Sequence, residues 1–318
     1  MAQADNNWFF IVNPVAGNGA AARRWPALER RLRQTWPDLE FAMTNGPGHA
    51  AQLAEEAVAR GFRRIIAVGG DGINHEAANG ILRQKHVPPA EITYCLLPFG
   101  TGNDWRRTHR IPIETEPWIA MVEAGHTTFQ DVGLVSFFRD GRQDQRFFVN
   151  VAGLGYDGFV VRFVGARRSP VLNRLYYLFM IFRCLFLYKL RKARLTFDDR
   201  TVEDRFYTIN AGIGRYSGGG MQLVPHAVTD DGLLALTYAE NVSKWTVVIN
   251  TWRFYNGSLG QHPRIHTHHC REIRVETAPG EMPTLVEADG EFLGETPVRI
   301  SLLPAALKII VPQKDNRR

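Results

Sequence analysis

Residues 68–80 read VGGDGINHEAANG. A single carboxylate, Asp71, lies between Gly70 and Gly72, with Ile73, Asn74, His75 and Glu76 directly behind it. The preceding RRIIA reads as a basic turn running into a buried strand. Glycine-rich turns after strands present backbone N–H groups to phosphate. A carboxylate in such a turn repels phosphate unless Mg²⁺ lies between them, held by carboxylates, waters and phosphate oxygens. Two other turns share this character. NPVAGNG (13–19) offers backbone N–H groups and a helix start, and LPFGTGND (97–104) offers the Thr101 hydroxyl and a second carboxylate, Asp104. A plainer explanation is that each Asp caps the helix that follows it. It weighs more for Asp104 than for Asp71, which has glycine on both sides.

These turns act together only if the chain brings them to one place. WFFIV (8–12), LEFAMT (39–44), RIIAVGG (64–70) and ITYCLLP (92–98) read as strands. Helical spacing over 20–35 lets Ala27, Leu28 and Leu32 face inward, PGHAAQLAEEAVARG (47–61) is a second helix stopped by Gly61, and NHEAANGIL opens a third. Alternation of this kind implies a parallel sheet covered by helices. Ligands bind such sheets at the carboxyl ends of their strands, where all three turns would converge. After about residue 130 the runs become short, strand-like and closely spaced, with helices near 158–192 and 243–256. This half reads as a β-rich domain.

Composition sets looser bounds. The chain has 318 residues, 45% hydrophobic and 22% charged, with a net charge of +6. That suits a soluble globular protein of two domains and favours anionic partners such as nucleotides or acidic membrane surfaces. A nucleic-acid partner is not expected. Cys95, Cys184 and Cys270 are far apart, and MAQADNN has no signal-peptide pattern, so a cytoplasmic protein is expected. GNGAAA (17–22), with Glu40 beyond it, and GLGYDG (153–158) resemble dinucleotide fingerprints, but neither sits in the tight strand–turn–helix that a Rossmann site requires. The P-loop motif is absent. HTHHC (266–270) would place His266, His268 and Cys270 on one strand face, which reads more simply as a polar face than as a zinc site.

The three turns resemble the catalytic domain of the diacylglycerol kinase and lipid kinase family, whose nucleotide domain is related to NAD kinases and phosphofructokinases. NPVAG (13–17) is similar to its first motif, GGDGINHE (69–76) to its GGDGTxNE signature, and LPFGTGNDWRR (97–107) to its third motif. The resemblance continues through GGGMQLVPHAVTDDGLLALTYAE (218–240) and EADGE (287–291), so nearly the whole chain is covered in the right order. It implies an α/β nucleotide-binding domain over 1–131, completed by a returning segment 305–318, and a β-sandwich-like acceptor domain over 132–304. The active site would lie in the cleft between them. ATP and Mg²⁺ would be the donor pair, and a lipid hydroxyl, diacylglycerol first, the acceptor.

Carried over residue by residue, the resemblance places nucleotide contacts at Asn13, Pro14, Val15, Ala16, Gly17, Thr44, Gly70, Asp71, Gly72, Ile73, Asn74, His75, Glu76 and Thr101. Catalysis falls to Asp71, Asp104 and Glu291, the last as general base with Glu287 and Asp289 as rivals. A structural Mg²⁺ falls to Asp231 with the backbone of Val228 and Leu233. Ile73 stands where the signature has Thr, and Asn18 where some bacterial members have Lys. Other readings are a kinase of the same superfold acting on a sphingoid base, ceramide or NAD, and a binding protein whose catalysis has decayed. The run Leu175–Leu190 is too short and interrupted to span a bilayer. With the basic residues between Arg167 and Arg194 it suits either a peripheral contact with an anionic membrane or a buried helix.

Overall fold

The computed structural model describes residues 7–100, 102–165 and 174–313, and side chains of the last segment from Phe179 onward. Thr101, Arg167 and Arg168 lie outside the described residues, and so does the side chain of Arg174. The chain divides into two units. One runs to Val132 and takes up the chain again from Pro304; the other is Gly133–Leu303.

The first unit is a strand–helix alternation: β1 (Trp8–Val12), α1 (Ala16–Thr35), β2 (Glu40–Met43), α2 (His49–Ala59), β3 (Arg64–Gly69), α3 (Asp71–Arg83), β4 (Thr93–Pro98), α4 (Asp104–His109) and α5 (Thr115–Ala124). The strands pair in parallel in the order β2–β1–β3–β4, with Ile11 opposite both Ala42 and Ala67, and Ala67 opposite Leu96. β1 is buried along its whole length and β3 and β4 almost so, as strands covered on both faces must be. That explains their unbroken apolar runs. In α1 the inward residues are Trp25, Leu28 and Leu32. Ala27, expected inside, is exposed, because the bulky Trp25 sets which side of the helix meets the sheet.

The second unit is mostly antiparallel. It contains β6 (Arg142–Phe148), β7 (Val151–Gly155), α6 (Tyr156–Gly165), α7 (Arg174–Leu187), β8 (Arg191–Phe197), β9 (Arg200–Phe206), β10 (Thr208–Gly212), β11 (Leu234–Ala239), α8 (Lys244–Ile249), α9 (Arg253–Asn256), β12 (Ile265–Cys270), β13 (Glu272–Thr277) and β14 (Leu285–Ala288). Two long strands, β5 (Thr127–Arg139) and β15 (Glu291–Ile310), carry the chain from one unit to the other. The ladders β12–β11–β10–β7–β14 and β13–β8–β9 are antiparallel. Phe137, Phe148, Leu154, Leu195, Ile209, Leu236, Ile273 and Val286 form their shared core. Burying each such side chain contributes about 1.5–3 kcal/mol. At the end of the chain, Lys308 and Ile309 of β15 pair in parallel with Thr93 and Tyr94 of β4, inside the first unit.

Candidate functional site

In the first unit, the turns after β1, β2, β3 and β4 all sit at the carboxyl edge of the sheet. Backbone bonds tie them together: Asn13 N–H donates to the Val68 carbonyl at 3.0 Å, Thr44 N–H to Val12 at 2.8 Å, and Phe99 N–H to Gly69 at 2.7 Å. The Asn13 side chain folds back to accept the Val15 N–H at 3.1 Å, which bends the chain into the turn that carries Pro14, Ala16 and Gly17. Gly17, Asn18 and Gly19 are left-handed, so α1 becomes regular only after them. The second and third turns touch through bare backbone. A Cβ on Gly70 would lie 2.9 Å from the Gly100 Cα, and no side chain fits. Such a floor of exposed N–H groups suits a phosphate chain.

The carboxylates are arranged in an unexpected way. Asp71 does not cap its own helix: α3 begins at Gly70 with no side-chain cap. Its Oδ1 instead accepts the N–H groups of Asp104 at 2.9 Å and Trp105 at 3.3 Å, capping α4 from across the site. A Cβ placed on Gly102 would lie 2.7 Å from Asp71 Oδ2 and 3.8 Å from Asp104 Oδ2. Two carboxylates therefore flank one point beside a bare glycine backbone. Arg107 approaches Asp104 at 3.8 Å. α4 is anchored underneath by Gln130, whose Oε1 accepts from Trp105 Nε1 at 2.9 Å and lies 2.8 Å from His109 Nε2. Burial pushes the His109 imidazole down to about 4, so it stays neutral in this anchor. Hard oxygen donors of this kind fit Mg²⁺.

The residues behind Asp71 divide differently from the motif string. Ile73, Asn74 and His75 are all buried. Asn74 Oδ1 accepts the Tyr94 hydroxyl at 2.8 Å, and the Ile73 side chain packs against Gly69. Ile73 in place of Thr is thus a packing residue. Glu76 accepts N–H groups of Gly48 at 2.8 Å and Ala50 at 3.2 Å, capping α2. Its negative charge meets the positive end of that helix.

In the second unit the three acids of EADGE separate by their partners. Asp289 accepts the N–H groups of Val149, Asn150 and Val151 at 2.9, 3.0 and 3.1 Å and clamps the start of β7. Glu287 is 3% exposed, accepts Gly290 N–H at 2.8 Å, and is held well above the usual carboxylate range by burial and then by Asp157. Glu291, half-buried at the first position of β15, follows the left-handed turn of Asp289 and Gly290.

The second unit also holds a feature with no counterpart in the sequence reading. An apolar groove with about 1070 Å³ of empty space, open mouth included, runs between α7, α8 and the sheet. Ile181, Leu185, Leu223 and Val247 line it, and Asp157, Thr208, Asn210 and Thr237 line its polar part. Gly153 is opposite both Asn210 and Glu287 in neighbouring strands. A Cβ there would lie 2.7 Å from Glu287 Oε1, 2.9 Å from the Asp157 Cβ and 3.0 Å from Asn210 Oδ1. The missing side chain is what lets the three meet. Asp157 accepts from the Thr208 hydroxyl, and burial raises its carboxyl. Asn210 Oδ1 and Thr237 Oγ1, on side chains each 1% exposed, have no hydrogen-bond partner among the described residues.

The DG turn of 228–233 is exposed at Val228 and Asp231. Asp231 Oδ1 accepts the Leu233 N–H at 3.0 Å. A single exposed carboxylate is a hard-oxygen donor compatible with Mg²⁺ and water. Among the described residues no group of three or more His, Cys, Asp or Glu side chains is placed to hold a metal. His266 stacks on Tyr238 and contacts Glu240 at 2.9 Å.

Comparison with known proteins decides the family. The diacylglycerol kinase catalytic domain matches residues 7–135, and the YegS C-terminal NAD kinase beta sandwich-like domain matches residues 150–311, half of the chain. The chain belongs to the diacylglycerol kinase and YegS-like lipid kinase family. It is a lipid kinase, with the family's α/β domain and β-sandwich domain. A protein of Mycobacterium tuberculosis named diacylglycerol kinase is 29% identical over 309 residues, covering 95% of this chain and 94% of its own. A Pseudomonas aeruginosa protein whose name reads lipid kinase YegS-like is 29% identical over 292 residues, covering 92% and 88%. Among solved structures, a diacylglycerol kinase from Bacillus anthracis superposes with a TM-score of 0.72 at 24% identity, over 96% of each chain. Yeast NADH kinase shares the fold at a TM-score of 0.58 and 10% identity, over 99% of this chain and 86% of its own. Kinase membership implies nucleotide use. No helix among the described residues is long and apolar enough to cross a membrane.

Proposed function

We propose that this lipid kinase transfers the γ-phosphoryl group of ATP, as its Mg²⁺ complex, to the hydroxyl of diacylglycerol, giving phosphatidic acid. The observation that carries the lipid half is the apolar groove of the second unit with polar side chains buried along it. A soluble acceptor such as NAD gains nothing from such a lining. The names of the relatives support diacylglycerol as the acceptor.

In this reading the backbone of Asn13–Gly17, with Gly70, Gly72 and Thr44, positions the nucleotide phosphates. Thr101 belongs to the same proposal. Ile73, Asn74, His75 and Glu76 hold the loop in shape through the sheet and α2 instead of touching phosphate. Asp71 and Asp104 would hold Mg²⁺, which when bound neutralises charge on the phosphates. Glu291 accepts the proton of the lipid hydroxyl as its oxygen attacks the γ-phosphorus, and the bond to the bridging oxygen of ADP breaks. That Asp289 is committed to three N–H groups and Glu287 is buried supports the choice of Glu291 among the three acids. Asp231 with the Val228 and Leu233 backbone is assigned a second, structural Mg²⁺.

One observation favours a second acceptor. Asp157 and Glu287 form a buried acidic pair beside the groove, and an amino-alcohol lipid could present its ammonium to them. Transfer of labelled γ-phosphate to a fractionated lipid extract, with identification of the product, tests both. Labelled phosphatidic acid supports the first reading and a labelled sphingoid phosphate the second. No labelled lipid, alongside labelled NADP, would reject both.

A further inference from the structure

The two helices that wall the groove are apolar on their outer sides as well. On α7, Phe186 is exposed; on α8, Trp245 and Ile249 are 67% and 71% exposed; Trp252, just beyond, is 55% exposed. The rings of Phe186 and Trp245 meet with centroids 6.3 Å apart, so both helices contribute to one continuous face. Their opposite sides carry Ile181 and Leu185, and Val247 and Asn250, which line the groove. Large aromatic side chains in such numbers on a solvent face mark an interaction surface.

The segments that carry this face have charge of one sign. No aspartate or glutamate occurs between Asp157 and Asp198, nor between Glu240 and Glu272. Lys244 lies over the Phe186 ring at 5.8 Å and donates to the Phe186 carbonyl at 2.5 Å; Arg253 lies over the Trp252 ring at 4.8 Å. Cations set against aromatic rings fit the boundary of a bilayer, where rings lie at headgroup depth and ammonium or guanidinium groups meet lipid phosphates. Arg191 and Lys192, which the sequence pattern also offers, are engaged elsewhere: Arg191 with the Pro283 carbonyl and Lys192 with Glu203 at 2.8 Å.

We propose that the outer face of α7 and α8, with Trp252, docks on a bilayer surface containing anionic lipid and so sets the groove mouth against the membrane. The inference rests on the lipid-acceptor reading for its purpose, but its test does not. Sedimentation of the full chain with phosphatidylcholine vesicles, with and without phosphatidylglycerol, measures docking directly. Wild type should bind the phosphatidylglycerol vesicles, with binding weakened by salt. Trp245→Glu and, separately, Ile249→Glu should each reduce binding at least about tenfold. Neither residue lines the groove, so both variants should phosphorylate a dispersed short-chain diacylglycerol at the wild-type rate and lose activity on vesicle-embedded acceptor. Equal binding by wild type and both variants overturns the proposal. So does absence of binding by wild type, or a wild-type dimer that the substitutions split without any vesicle binding. Vesicle binding with no lipid phosphorylated leaves the docking face standing and removes the proposed function. Phosphorylation without vesicle binding does the reverse.

Discussion

Asp71 Oδ1 accepts the backbone N–H of Asp104 at 2.9 Å, so one carboxylate of the candidate site fixes the helix that carries the other. The arrangement separates two roles of Asp71 that substitution can tell apart. Asn keeps an acceptor oxygen for α4 but loses the charge. Asp71→Asn should therefore fold normally and lower kcat at least about 10²-fold, the scale for losing preorganised electrostatic stabilisation. Asp71→Ala should in addition lose about 0.5–2 kcal/mol of stability with the cap. Steady-state kinetics and thermal melts of both variants check this, and near-normal turnover in Asp71→Asn would remove Asp71 from the chemistry.

Asp289 and Glu291 are two residues apart and should fail in opposite ways. Asp289→Ala leaves three N–H groups at the start of β7 without their acceptor and should cost at least about 1–3 kcal/mol of stability. Glu291→Gln should leave the melting temperature unchanged and lower kcat at least about 10²-fold, with ATP affinity little altered. Denaturant unfolding beside kinetics distinguishes the two; full activity in Glu291→Gln would show that the base lies elsewhere.

Glu287 makes stability depend on pH with a definite sign. Burial, followed by the nearby Asp157, raises its folded pKa. The folded state then holds a proton that the unfolded chain releases, so the wild type loses stability as pH rises from the unfolded value toward the folded one. Glu287→Gln removes that cost and keeps an acceptor for Gly290. The variant should match wild type near pH 4 and become progressively more stable above it, by up to about 1.4 kcal/mol per pH unit. Melts from pH 4 to pH 8 decide it, and a pH-independent difference would mean that Glu287 is ionised in the fold.

Asp231 should couple stability to Mg²⁺. The wild-type melting temperature should rise with added Mg²⁺, and Asp231→Ala should abolish that rise with little change in metal-free solution. Identical Mg²⁺ shifts in the two proteins would place the stabilising ion elsewhere.

The layered architecture was open to reading because parallel strands buried on both faces must be apolar without interruption, and β1, β3 and β4 are. The turns were readable for a similar reason: backbone contact as close as Gly70 to Gly100 admits no other residue. Side-chain direction was not. Ile73, Asn74 and His75 follow Asp71 in the motif, yet helical geometry turns them into the core, and Glu76 serves α2. The Asp157 cluster was invisible because Gly153, Asn210 and Glu287 become neighbours only through the pairing of three strands remote in sequence. The aromatic face was hidden by spacing alone: apolar residues nearly all round α7 suggest burial, whereas Ile181 and Leu185 line the groove and Phe186 faces out.

The pairing of Lys308 and Ile309 with β4 bears on how the protein is made. A ribosome releases β1 to β4 early, yet their sheet waits for its last neighbour until residues 308 and 309 have been translated, about 200 residues later. The intervening second unit can assemble meanwhile around its own core. β4 is thus left with an open edge during synthesis, and such an edge can pair with other nascent chains. Slow elongation between β4 and Lys308 should therefore lower the soluble yield.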